Sequence, residues 1–102
     1  MRVISRKRIV DYIIKNTQAA IPLNFWYYKI LKVKANNHHD ITKTFASADV
    51  IGKYTIFDIG GNNYRLITSI HYNNQRVYVR EIWTHAQYSK PSNQRKLEEG
   101  EL

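Results

Sequence analysis

The sequence predicts an α+β fold in which an N-terminal helical hairpin packs on a small antiparallel sheet ending in a three-stranded meander. Apolar residues recur at helical spacing through the first third of the chain. From Val50 onward, β-branched and aromatic residues dominate short runs separated by turn formers. The third observation bounds the architecture: 102 residues, 43% of them hydrophobic, supply one compact core.

Met1 to Ile4 reads as a short strand. Ser5 is placed to cap a helix that carries Ile9, Val10, Ile13 and Ile14 on one face and ends near Asn16. A second helix is expected from about Pro22, a residue tolerated in a first turn, with Leu23, Trp26, Tyr27, Ile30 and Leu31 along one stripe. Asn36 to Asp40 are loop formers, and Asp40 could cap a short helical turn through Thr44 and Phe45.

Three antiparallel strands follow in YTIFDI, YRLITSIHY and RVYVREIW, with turns at Gly60 to Asn63 and Asn73 to Gln75. Helices first and a meander afterwards imply helices on one sheet face and a free opposite face for a ligand. Residues 1–90 form the expected domain. Residues 91–102 are polar and charged, and are expected to be a mobile tail.

In the second meander strand Tyr64, Leu66, Thr68, Ile70 and Tyr72 share the core face, while Arg65, Ile67, Ser69 and His71 share the other. A register set by the Asn73 to Arg76 turn puts Val79 opposite Ile70 and Arg80 opposite Ser69. Arg65 and Arg80 then line one open surface. Either arginine could instead be a solvated strand residue or an ion-pair partner of Glu81 or Asp58. The same register puts Glu81 on the core face, an awkward place for a carboxylate, which points to a bulge or a shifted pairing nearby.

Charge narrows the partners. Sixteen Lys and Arg against eight Asp and Glu give +8, and Glu98, Glu99 and Glu101 all lie in the last five residues. Such a surplus attracts polyanions, nucleic acid first, although an acidic protein partner would also explain it. The chain has no cysteine, which excludes thiol catalysis, disulfides and thiolate metal sites. No apolar run approaches the ~20 residues that span a bilayer, and the charged N-terminus lacks a signal-peptide core. A soluble cytoplasmic protein with no membrane association is expected.

Directly after the third meander strand, His85 and Tyr88 place an imidazole and a phenol three residues apart where the strand leaves the sheet. Histidine exchanges protons near neutral pH, and tyrosine can hydrogen-bond or stack on a base. His85 could equally be a capping or packing residue. His38 and His39 beside Asp40 lack the i, i+4 spacing of a helical zinc pair, so no metal site and no cofactor are assigned.

The segment YTIFDIGGNNYRLITSIHYNNQRVYVREIWTHAQYSK resembles the HigB family of the RelE/ParE toxin superfamily. That family has a strand ending in FNI, a glycine turn with Asn, then YRL, a strand ending in arginine, and a THxEYD-like segment. Here these correspond to Phe57 to Ile59, Gly61 with Asn62, Tyr64 to Leu66, Arg80, and Thr84 to Ser89. Asp58 replaces the usual Asn, Gln87 the usual Glu and Ser89 the usual Asp. Weaker similarity continues through FWYYK and FASAD, so the resemblance spans roughly residues 1–90.

The resemblance implies a RelE-like fold and metal-independent cleavage of translated messenger RNA on the ribosome, in which the RNA's 2′-hydroxyl attacks the adjacent phosphate. Arg65 and Arg80 would then stabilise the phosphorane, His85 would act as general acid or base, and Tyr88 would transfer a proton or orient the substrate. Lys53, Asn62 and Lys90 would bind the RNA, with Asn62 fixing its turn or supporting Arg65. A HigA-type helix-turn-helix antitoxin is the implied protein partner. The competing readings are a ParE-like toxin directed at a protein such as gyrase and a non-enzymatic basic RNA-binding module.

Overall fold

A computed structural model describes all 102 residues. The order is β1 (Arg2–Ile4), α1 (Arg6–Lys15), a 3-10 turn (Thr17–Ala19), α2 (Ala20–Ile30), α3 (His38–Thr44), β2 (Asp49–Ile51), β3 (Tyr54–Ile59), β4 (Tyr64–His71), a second 3-10 turn (Tyr72–Asn74), β5 (Arg76–Thr84), α4 (His85–Tyr88) and α5 (Pro91–Glu99). The fold is α+β. Its five strands form one mixed sheet in the order β1-β5-β4-β3-β2. The β2 to β5 pairings are antiparallel, and β1 joins β5 in parallel, Arg2 opposite Arg76.

The main core lies between the helices and one sheet face. Ile9 of α1 and Leu23, Trp26 and Ile30 of α2 meet Phe57, Ile59, Leu66, Val77, Val79 and Ile82 of the sheet. Trp26 and Phe45 both stack edge-on against Phe57, with ring centroids 5.4 and 5.0 Å away. The expected core face of β4 is realised, with Leu66 and Thr68 buried and Tyr64, Ile70 and Tyr72 against the cluster.

Local details depart from the sequence reading. Ser5 precedes α1 in the left-handed region, φ 71°, and its side chain makes no capping bond; it turns the chain from β1 into the helix. Asn37, not Asp40, caps α3 by accepting from the Asp40 backbone N–H at 2.9 Å, so the helix begins three residues earlier than a cap at Asp40 would give. The Asp40 carboxylate instead accepts from the Asn36 N–H and the Lys43 ammonium, and these bonds hold its pKa below the usual carboxylate value. Leu31 is exposed at the end of α2 rather than on its core stripe.

The β4–β5 register differs by two residues from the expectation. Val79 pairs with Thr68 and Glu81 with Ile67, so the ladder shifts between these pairs and Arg80 is the extra residue of a bulge. That insertion resolves the expected conflict at Glu81. It turns the carboxylate away from the core face while Val79 and Ile82 both remain on it.

The second sheet face is not free, and the mobile tail expected at 91–102 is a docked helix. Leu97 of α5 is wholly buried against Tyr54, Ile56, Ile67 and Trp83, with Tyr88 and Leu102 packed alongside. Beyond Gly100, which closes α5 at φ 69°, the Tyr54 hydroxyl donates to the Leu102 carbonyl at 2.8 Å and accepts from its N–H at 2.7 Å. Charge and polarity suggested disorder. One leucine spaced to meet an apolar strip of the sheet reverses that expectation. No helix is long and apolar enough to cross a membrane.

Candidate active site

The arrangement begins with a turn. Gly60 and Gly61 both lie at positive φ, 61° and 67°, a pair of conformations open to glycine and strained for other residues. The chain thereby reverses between β3 and β4 and brings Asn62 back over Arg65. Across the ladder Asp58 is the register partner of Arg65, on the face opposite the main core.

Arg65 is only 8% exposed, and its guanidinium is held on three sides. Nε pairs with the Asp58 carboxylate at 3.0 Å, one terminal nitrogen donates to the Tyr64 carbonyl at 3.2 Å, and the other donates to the Asn62 side-chain oxygen. The Tyr88 ring lies over the cation, 5.2 Å from centroid to guanidinium carbon. Three of the five N–H groups are thus committed. One on each terminal nitrogen remains for an incoming anion.

His85 and Tyr88 reach this place through α4. The Thr84 hydroxyl accepts from the Gln87 N–H at 3.2 Å, and the Gln87 side-chain oxygen accepts from the Thr84 N–H at 2.9 Å, a complete capping box. The His85 backbone N–H donates to the Asn63 carbonyl at 3.0 Å, fixing the start of α4 to the glycine turn. One helical turn later Tyr88 meets Arg65. α5 secures this segment from behind: the Asn93 and Gln94 side chains donate to the carbonyls of Gln87 and Tyr88.

Arg65, Asn62, His85 and Tyr88 therefore gather at one end of the sheet, and Lys90, exposed at the start of α5, adjoins them in the chain. Arg80 does not join them. Its Nε donates to the Ser69 hydroxyl at 3.1 Å, four residues up β4 from Arg65, roughly 13 Å along a strand. Arg65 leans the other way, toward the glycine turn. Lys53 is also apart, at the far end of β3 from Asp58, with its ammonium 5.7 Å from the Tyr54 ring centroid.

The sequence reading missed the clamp on Arg65 as a unit. Asp58 was visible only as one of two possible ion-pair partners, and Gln87 as a lost acid. The T-x-x-Q pattern of a capping box was the signal for the second. His38 and His39 occupy the start of α3, and no three His, Asp or Glu side chains cluster to hold a metal ion.

Residues 19–91 match a family model described as HigB_toxin, the RelE-like toxic component of a toxin-antitoxin system. The chain belongs to the HigB toxin family. Among this toxin's relatives is the mRNA interferase HigB of Escherichia coli O6:H1 (strain CFT073), 29% identical over 93 residues, covering 88% of this chain and 90% of the relative. The mRNA interferase toxin HigB of Escherichia coli K12 and the mRNA interferase HigB of Shigella flexneri are each 28% identical over 91 residues, covering 86% of this chain and 88% of theirs. A toxin of this kind has an antitoxin as its partner.

Asp58, where the family pattern has Asn, places one negative charge beside the guanidinium. Asp58→Asn keeps an acceptor for Nε and removes that charge. For a phosphate about 7 Å away in a watery environment this is worth ~0.6 kcal/mol, so RNA affinity should rise about threefold at fixed salt. Fluorescence anisotropy with a short labelled RNA checks it; equal or weaker binding would refute this role for Asp58.

Proposed function

We propose that this toxin is an mRNA interferase acting in the cytoplasm, cleaving messenger RNA as it is translated on the ribosome and silenced by a HigA-type helix-turn-helix antitoxin. The observation that carries the reading is the oriented Arg65 guanidinium with Tyr88 over it and His85 one helical turn away. The names of the curated relatives, mRNA interferases, point the same way.

In this mechanism the RNA supplies its own nucleophile. The 2′-oxygen forms a bond to the adjacent phosphorus and the bond from phosphorus to the 5′-oxygen breaks. A base must take the 2′-hydroxyl proton, and an acid must deliver one to the departing oxygen. Negative charge builds on the phosphorane, and Arg65 meets it with donors already fixed in place, so little reorganisation is needed. His85 serves as acid or base, and Tyr88 holds the guanidinium plane and contacts the substrate. Arg80, Lys53 and Lys90 bind flanking phosphates, an assignment that moves Arg80 away from the scissile group.

Induced expression of the native chain, of Arg65→Ala and of His85→Ala, with mapping of new 5′ ends in cellular messenger RNA, tests the proposal. Growth arrest with in-frame cuts in the native chain, both lost in the variants, is expected. Arrest without cuts would replace this reading with a ParE-like protein target. Binding to RNA without arrest would replace it with a non-enzymatic module.

A further inference from the structure

Helix α2 is apolar on two sides, and only one faces the core. Leu23, Trp26 and Ile30 are buried, whereas Ile21, Phe25 and Tyr28, spaced i, i+4, i+7, are 84%, 66% and 58% exposed. A helix that is hydrophobic around its circumference has further surface to bury. Beside this second stripe runs a groove of about 630 Å³, floored by Trp26 and Phe57 and walled by Phe25, Phe45 and the Gly60–Gly61 turn. Its size is that of a site for several bulky side chains.

A second cleft, of about 390 Å³, adjoins the groove, and Lys29 and Thr44 line both. Lys29, Lys32, Lys34 and Lys43 line this cleft against a single acid, Asp40, which Lys43 already pairs at 3.2 Å. The Lys29 ammonium stands 5.3 Å from the Phe25 ring centroid and 5.2 Å from that of Phe45, at the junction of the apolar and cationic parts. The two clefts together describe their occupant: bulky apolar side chains at one end and carboxylates at the other.

A second copy of this chain suits it poorly, because its clustered acids, Glu98, Glu99 and Glu101, belong to a segment already docked on its own sheet, and the chain is otherwise strongly cationic. RNA satisfies the lysines and leaves the apolar groove bare. We infer that this composite groove receives an acidic, amphipathic segment of the antitoxin, an inference that rests on the toxin-antitoxin reading above. The groove also reaches Asp58 and the glycine turn. Its occupant therefore abuts the support of Arg65, so seating the segment bears on the catalytic end from the opposite side of the sheet.

The test is a titration of full-length toxin with its purified cognate antitoxin, followed by calorimetry at two salt concentrations. The doubly substituted Ile21→Lys/Phe25→Lys chain changes only exposed side chains, and retained mRNA cleavage reports its folding. It should bind roughly 100-fold more weakly, and the antitoxin should no longer relieve its growth arrest. Lys32→Glu/Lys43→Glu should weaken binding roughly tenfold and flatten its salt dependence.

Antitoxin binding within threefold of native in the Ile21→Lys/Phe25→Lys chain would overturn the groove assignment. So would loss of a native dimer, or of ribosome association, in that chain with antitoxin affinity intact. An antitoxin that neither binds the native chain nor relieves its arrest would overturn the toxin-antitoxin reading itself. The native control thus separates the two failures.

Discussion

His85→Ala is expected to slow single-turnover RNA cleavage by roughly two to four orders of magnitude, the usual contribution of a positioned proton-transfer group. The change should be confined to chemistry. His85 is exposed and anchored through its backbone N–H to Asn63, which alanine preserves. Thermal stability and RNA affinity should therefore stay near native. A rate within threefold of native would remove His85 from the mechanism. Arg65→Ala, by contrast, should lower both RNA affinity and rate, because it deletes the donors proposed to meet the phosphate and uncovers Tyr88.

The largest effect on stability is expected from α5. Leu97→Ala deletes a wholly buried side chain from a cluster of only five buried residues, where little can collapse into the space. Such truncations cost about 2–5 kcal/mol, a large part of the ~5–15 kcal/mol that holds a domain of this size together. At about 4–8 °C per kcal/mol, the melting midpoint should fall by ~10 °C or more. A scan showing a drop of less than ~3 °C would mean that α5 is only loosely held. Activity should suffer too, since Gln94 and Asn93 brace the carbonyls of α4.

The framework was legible because it depends on periodicity. Leu23, Trp26 and Ile30 recur at helical spacing, Tyr64 to Tyr72 alternate, and the glycine turn marks the reversal. What escaped depended on long-range fit. Nothing near Leu97 in sequence announces that it meets Ile56, Ile67 and Trp83, and a charge-rich segment around a single leucine reads as solvated. The misplaced Glu81 pointed to a bulge or a shifted pairing without deciding between them, and the structure has a bulge at Arg80 together with a pairing between it and the turn that differs by two residues, because the 3-10 turn at Tyr72–Asn74 lengthens the reversal.

The same limit applied to the site. His85, Tyr88, Asn62 and Arg65 were expected together through family resemblance, and the structure gathers them at one end of the sheet. Arg80 was expected opposite Ser69 on the face of Arg65, and its Nε does reach Ser69, but strand alternation gives the face of a side chain and not its position along that face, so the two arginines stay apart. Whether Asp58 or Glu81 would take Arg65 could not be decided before the register was known. The Asp58 pairing follows from β3 and β4 being aligned directly across the glycine turn.

The parallel pairing of β1 with β5 has a consequence for how the protein comes into being. Arg2 waits for Arg76, and β5 lies between β1 and β4, so the sheet cannot close around its N-terminal strand until that late segment has emerged during synthesis. Arg80, His85 and Tyr88 emerge with or after it. A nascent chain can form α1 and α2, and even the β3–β4 hairpin that carries Arg65, before His85 and Tyr88 exist, so the end of the sheet where these side chains gather is completed only as elongation finishes.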